Sequence, residues 1–218
     1  MHRNLIGLIL AGGLSRRFGK EKALALLKGK PLALWVKEAL EPFCREIWLS
    51  LRSPEQPETR LKPHFNRVLY DPLREAGPLG GILGGLKALP PAEALIVAPC
   101  DQPLLQPALI EGLLRNFLKS TSLAGLCLGA SGDYHPFPAI YRKELARDLE
   151  RYLASGRRSV KGWLARLSGP SLLGIPPERW YVWDPEGLSF LNVNEREELK
   201  RLEILLRTPL LGCIPLKH

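Results

Sequence analysis

The chain is short of the residues that staple, span or export a fold. Its four cysteines, Cys44, Cys100, Cys127 and Cys213, are widely spaced, none sits in a C-x-x-C pair, and the four histidines do not gather around them. Zinc-site spacing is missing. No stretch approaches the roughly 18 unbroken apolar residues of a membrane span. The apolar run at residues 5 to 11 passes at once into Gly12-Gly13 and a basic stretch rather than a small-residue cleavage site, so it does not read as a signal peptide. Free thiols, a cytoplasmic setting and no membrane partner are the expectations that follow. Amide and thioether side chains are scarce too. Three Gln, five Asn and one Met stand against 20 Pro in 218 residues, a weak mark of a heat-adapted composition.

What is present is an ordinary globular balance, 45% hydrophobic and 24% charged. A chain of this length buries roughly 70% of the surface it would expose unfolded, so its core needs no staple. The net charge of +9 admits nucleic acid, an anionic surface or a polyphosphate as partner. Basic residues concentrate only at 14 to 22 and 157 to 161, and neither stretch interleaves with aromatics as a nucleic-acid platform would. No nucleic-acid partner is expected.

Strand-like and helix-like runs alternate, the pattern of a sheet flanked by helices. Strands are predicted at 5–10, 46–51, 67–70, 94–98, 124–128 and 138–141. Apolar spacing of three and four predicts helices from Pro31 to before Pro42 and at 107–118, 143–154, 159–167 and 195–206. The polar, proline-rich segment 53–65 reads as a surface loop. Short connections predict one domain over 1–218, with 207–218 as a C-terminal tail.

The most informative stretch is Leu10-Ala11-Gly12-Gly13-Leu14-Ser15-Arg16-Arg17-Phe18-Gly19-Lys20-Glu21-Lys22. A buried strand delivers it, the paired glycines allow close backbone approach, and four cations follow within ten residues. Such a loop offers N–H groups and positive charge to a triphosphate. It is not a Walker loop, since five residues rather than four separate Gly13 from Gly19 and Glu21 follows Lys20. Nor does it contain the dinucleotide G-x-G-x-x-G. Its bland reading is a strand-to-loop turn with solvated charges.

This run, L-A-G-G-x-S-x-R-x-G followed by Lys22, resembles the signature of nucleotidyltransferases built on a glycosyltransferase-A-like fold. It is most similar to the molybdenum cofactor guanylyltransferases of MobA type, which transfer GMP from GTP to the phosphate of molybdopterin. The resemblance spans roughly residues 5 to 205. It implies a three-layer α/β/α fold around a mostly parallel sheet, of the nucleotide-diphospho-sugar transferase kind. Leu10, Ala11, Gly12 and Gly13 would seat the nucleotide, while Arg17 and Lys22 would neutralise its phosphates.

Later segments fit that resemblance. Asp71, in Tyr70-Asp71-Pro72, precedes Gly77-Pro78-Leu79-Gly80-Gly81; a similar aspartate and turn, with Gly80 at the nucleotide, read guanine in the family. A carboxylate can accept both the N1–H and the 2-amino hydrogens of guanine, which cytosine cannot offer. The bland reading is a turn-former before proline. In Pro99-Cys100-Asp101-Gln102-Pro103 an apolar strand ends in a lone carboxylate, a hard oxygen ligand suited to Mg²⁺, or else a turn or cap aspartate.

His135-Pro136-Phe137-Pro138, Arg157-Arg158-Ser159-Val160 and Phe190-Leu191-Asn192-Val193-Asn194 also stand at family-like places. Asn192 and Asn194 could pair with a pterin edge and Arg158 with its phosphate; capping and helix entry are the structural alternatives. Two departures stand out. Ser50 or Leu51 occupies the region where the family often presents an asparagine to the nucleotide, and the tail from Arg207 to His218 has no counterpart.

The activity implied is Mg²⁺-dependent guanylyl transfer, with GTP and molybdopterin as substrates and with molybdoenzymes and other cofactor-biosynthesis proteins as partners. Rivals are a cytidylyltransferase or sugar-phosphate nucleotidyltransferase of the same fold and, in another class, a non-catalytic basic nucleotide- or nucleic-acid-binding protein.

Overall fold

The computed structural model describes residues 5–13, 18, 22–73, 75–91, 93–167 and 169–206. In chain order the strands and α-helices are β1 (Leu5–Leu10), β2 (Leu26–Leu27), β3 (Lys30–Pro31), α1 (Leu32–Leu40), β4 (Glu46–Leu51), β5 (Arg67–Tyr70), α2 (Pro78–Ala88) and β6 (Ala94–Pro99). They continue with α3 (Pro107–Leu118), β7 (Ala124–Leu128), β8 (Tyr134–Arg142), α4 (Leu145–Ala154), α5 (Val160–Leu164), β9 (Leu172–Ile175), α6 (Pro177–Trp180) and α7 (Arg196–Leu205).

Seven strands form one sheet in the order β5-β4-β1-β6-β8-β7-β9, while β2 and β3 make a small hairpin. The pairs β5/β4, β4/β1, β1/β6 and β7/β9 are parallel; β6/β8 and β8/β7 are antiparallel. All six residues of β1 are buried, which is why its sequence is an unbroken apolar run rather than an alternation. Side chains still alternate between the two faces. Leu5 and Ile9 join α1 and α3 in one core, whereas Ile6, Leu8 and Leu10 join α2, α4 and α5 in the other. The three layers expected from the sequence are therefore present. Truncating the fully buried Leu8 to Ala would cost about 2–5 kcal/mol through lost contacts and the cavity left behind.

Helix α2 lies unusually close to the sheet. A Cβ on Gly85 would approach Leu95 Cδ2 to 2.7 Å and Leu8 Cδ2 to 2.8 Å, and one on Gly81 would land on the Ser50 hydroxyl and 2.8 Å from Leu10 Cδ2. These glycines, four apart and on one helix face, let the first turn of α2 sit directly over the carboxyl ends of β1 and β4. Gly77 precedes that turn at φ 59, a conformation disfavoured for other residues. Among the described residues no helix is long and apolar enough to cross a membrane.

Segment 53–65 departs from its reading as a surface loop. It contains a 3₁₀ helix, Pro57–His64, entered through a proline at its first turn, with Gln56, Glu58, Leu61 and Phe65 buried. Strand β8 starts at Tyr134, not 138. Pro136 and Pro138 signal a break, but both lie where β8 has no paired partner, beyond β6 and at the register shift against β7, so their missing N–H groups are not needed.

Candidate active site

The carboxyl ends of four adjacent parallel strands converge on one cavity of about 280 Å³, with Gly12 and Gly13 after β1, Ser50 on β4, Asp71 after β5 and Asp101 after β6. Crevices at this end of open α/β sheets are where ligands bind. Two backbone bonds carry the ladder past β1: Ala11 N donates to Ser50 O at 2.9 Å and Cys100 N to Leu10 O at 3.0 Å. Gly12 packs so tightly that a Cβ would lie 3.0 Å from the backbone N of Arg52, whereas one on Gly13 would meet nothing within 4 Å. One glycine is thus needed for packing and the next leaves backbone open to the cavity.

Lys22 Nζ donates to Asp101 Oδ2 at 2.5 Å and to Asn194 Oδ1 at 3.1 Å. The side chains of Lys22 and Asp101 are only 10% and 19% exposed. Val193 N donates to the Asp101 carbonyl at 2.8 Å, so the segment bearing both asparagines is tied to the end of β6. The other carboxylate oxygen, Asp101 Oδ1, is buried without a hydrogen-bond partner. Such an atom needs a ligand or a water. Asp101 and Asn194 supply hard oxygens on the cavity wall, and no group of three His, Cys, Asp or Glu side chains gathers among the described residues. That donor set fits Mg²⁺, which keeps waters and takes one or two protein oxygens plus phosphate oxygens.

At the other side of the cavity Asp71 Oδ1 accepts from Ser50 Oγ at 3.2 Å, and Asp71 N donates to Leu51 O at 2.9 Å. Burial pushes the Asp71 carboxyl up to about 6, against the opposing effects of the Ser50 hydrogen bond and the Arg52 charge. A Cβ on Gly80 would be 3.4 Å from both Asp71 Cγ and Oδ2, which places Gly80 behind the carboxylate. Burial pushes the Cys100 thiol far up, so this cavity residue is a packed thiol rather than a nucleophile.

Leu10, Ala11, Gly12, Gly13, Lys22, Asp71, Asp101 and Asn194 all line the cavity. Asn192 and Arg158 do not. Asn192 is exposed and donates to Phe190 O at 3.3 Å; Arg158 is exposed and donates through Nη1 to the carbonyls of Leu153 at 2.7 Å and Arg157 at 2.8 Å. Arg17 and the tail 207–218 lie outside the described residues. Two motifs apart in sequence meet: His135 stacks on Phe190 with centroids 3.9 Å apart, and Phe137 reaches the cavity. Burial lowers the His135 pKa, favouring a neutral ring. Sequence reasoning missed Glu58, a buried carboxylate on the cavity wall that accepts from Gln56 Nε2 at 3.4 Å. Its signal was Pro57 at a helix start followed by Leu61 and Phe65, hidden within a polar proline-rich stretch.

A model of the MobA-like NTP transferase domain matches residues 7–170. The chain belongs to this family. It is 36% identical over 206 residues to a molybdenum cofactor guanylyltransferase of Cereibacter sphaeroides, covering 93% of this chain and 97% of that protein. It is 33% identical over 206 residues to a probable molybdenum cofactor guanylyltransferase of Pyrococcus furiosus, covering 93% and 98%. Among solved structures it resembles molybdopterin-guanine dinucleotide biosynthesis protein A from Archaeoglobus fulgidus, with a TM-score of 0.78 and 28% identity over 93% of this chain and 98% of that one.

Proposed function

We propose that this chain is a molybdenum cofactor guanylyltransferase that transfers GMP from GTP to molybdopterin, working in the cytoplasm and passing product towards molybdoenzymes. The observation that carries this reading is one cavity bounded by an acceptor-only carboxylate, Asp71, at one end and by the Lys22–Asp101–Asn194 cluster at the other. Asp71 presents two oxygens to the N1–H and 2-amino hydrogens of guanine. Cytosine offers a single amino donor beside the N3 acceptor, so a cytidylyl reading leaves one oxygen of this half-buried carboxylate unmatched.

The backbone from Leu10 to Gly13 seats the nucleotide, and Lys22, with Arg17 beside it in the loop sequence, neutralises the phosphates. The phosphate monoester of molybdopterin attacks the α-phosphorus; its oxygen forms the new P–O bond as the bond to the β-phosphate bridging oxygen breaks, and pyrophosphate leaves with that electron pair. The attacking group is already an anion near neutral pH, so no general base is required. Mg²⁺, held by Asp101 and Asn194, would supply Lewis-acid stabilisation of the phosphate oxygens. Asn192 and Arg158, both exposed, are assigned to the pterin and its phosphate on their hydrogen-bonding chemistry.

The test is pyrophosphate release from each nucleoside triphosphate with Mg²⁺ and molybdopterin. GTP should react and CTP should bind at least about tenfold more weakly, since an unmatched oxygen on a half-buried carboxylate costs on the order of 2 kcal/mol. Equal use of GTP and CTP would refute the guanylyl assignment.

A further inference from the structure

Ser50 is buried, lines the cavity, and makes one side-chain hydrogen bond, to Asp71 Oδ1 at 3.2 Å. Its geometry is overdetermined. Ser50 sits near the end of β4, Asp71 follows directly on β5, and the two strands are in register through Ser50↔Leu69 and Leu51↔Tyr70. The Asp71 N to Leu51 O bond continues that ladder and fixes where the aspartate leaves the strand. From the opposite side the first turn of α2 closes on both side chains: a Cβ on Gly81 would displace the Ser50 hydroxyl, and one on Gly80 would stand in van der Waals contact with Asp71 Oδ2 at 3.4 Å. Gly81 thus keeps room for the hydroxyl, while the Gly80 backbone packs beside the carboxylate.

From this geometry we infer that Ser50 is a positioning residue for base selection: its hydroxyl orients the Asp71 carboxylate and holds it as an acceptor facing the base. The inference rests on the guanine reading of Asp71 above. A hydroxyl donating to Oδ1 favours the ionised carboxylate, and the ionised form accepts with both oxygens, whereas the protonated acid would present a donor to the N1–H of guanine. Among the described residues, the charged side chain whose field reaches Asp71 is Arg52, just past β4. The adjoining turn of α2 (Pro78 to Gly81) and the end of β1 (Leu10 to Gly13) bring no charge. Without the serine, Arg52 is the described group left to oppose the burial that favours the neutral acid.

The experiment measures GTP and CTP binding to the full chain with Mg²⁺ from pH 5.5 to 8.5 for the wild type, Ser50→Ala, Asp71→Asn and the double variant, with thermal unfolding to confirm the fold. Ser50→Ala should weaken GTP binding about five- to tenfold at pH 7, with the deficit closing to twofold or less at pH 8.5 and the acid limb moved to higher pH. The GTP KM should rise while kcat at saturating GTP stays within twofold. In the Asp71→Asn background Ser50→Ala should add nothing further. A loss of the same size at every pH, or one that adds to Asp71→Asn, would overturn the role of Ser50 while leaving the guanine reading intact. Wild-type protein that binds GTP and CTP alike, with no effect of Asp71→Asn, would overturn both.

Discussion

Replacing Asp71 by Asn should move stability and function in opposite directions. Burial lifts this carboxyl from its ordinary 3.8 to about 6. The native state therefore binds the proton more tightly than the unfolded chain, so the ionised carboxylate is a destabilising element above pH 6 whose cost fades as pH falls towards 4. Two units at about 1.36 kcal/mol each set an upper bound of about 3 kcal/mol. Solvent reaching the open cavity trims this to about 1–2 kcal/mol. Asn has nearly the same shape and its Oδ1 can still accept from Ser50, so little packing is lost. Asp71→Asn should raise the midpoint of thermal unfolding by about 2–8 °C at pH 7.5 and leave it unchanged at pH 4. The same protein should bind GTP at least about tenfold more weakly, because one oxygen acceptor has become an N–H donor. Calorimetric unfolding at the two pH values, paired with GTP titration, checks both halves. A variant less stable than wild type at pH 7.5, or a stability gain that does not depend on pH, would refute the electrostatic reasoning.

Asp101→Ala should lower GMP transfer by roughly two to four orders of magnitude, the loss of about 3–5 kcal/mol of transition-state stabilisation, read in single-turnover assays. It should also cost about 1–3 kcal/mol in urea unfolding, since it removes the partner of a Lys22 side chain only 10% exposed; near-normal, magnesium-dependent transfer would place the metal elsewhere. Lys22→Ala should reduce turnover by about 10- to 150-fold, the worth of charge-assisted contacts at roughly 1.5–3 kcal/mol, with circular dichroism showing a retained fold; full activity would mean that the loop does not hold phosphate. Asn194→Ala should weaken both GTP and molybdopterin binding, because Asn194 touches Lys22 on the cavity wall, whereas Asn192→Ala and Arg158→Ala should weaken molybdopterin alone. Parallel titrations separate these outcomes.

Legibility from sequence followed a physical line. Strand β1 could be read because burial on both faces writes a continuous apolar run, and α3 because Leu109, Ile110, Leu113, Leu114 and Phe117 all face one core. The family could be read from the run Leu10 to Lys22 because its paired glycines and closely spaced cations form a specific signature. What escaped was structure whose cause lies far away in the chain. Glu58 is drawn into the cavity by a 3₁₀ turn that packs Leu61 and Phe65 under β4, and the local signal for that turn, Pro57 before two spaced apolar residues, is masked by its polar, proline-rich surroundings. Asn194 was assigned to pterin on chemistry alone, but the Val193 N to Asp101 O bond, spanning 92 positions, carries it to Lys22. Ser50 departed from the family pattern and offered no role until β5 set Asp71 against it.

The acids of the cavity share an electrostatic logic. Asp71, Asp101 and Glu58 put three carboxylates on a cavity wall where the described cation is Lys22. Collecting acids at the site of a polyanion looks self-defeating, yet in the proposed reaction Asp71 and Asp101 have separate physical tasks. Under the proposed guanine reading Asp71, beside Gly80 and Ser50, would lie at the base end, where acceptors are wanted and the phosphates would not reach. Asp101 is bound to Lys22, so its charge is offset within 2.5 Å, and its second oxygen is buried without a hydrogen-bond partner. Burying an ion pair seldom adds stability over apolar packing. Here the pair holds a cation and an oxygen donor at fixed positions before any ligand arrives, and that preorganisation is where electrostatic catalysis gains most. A family member that exchanged Lys22 and Asp101 for a packed apolar pair should therefore fold at least as well and transfer nothing.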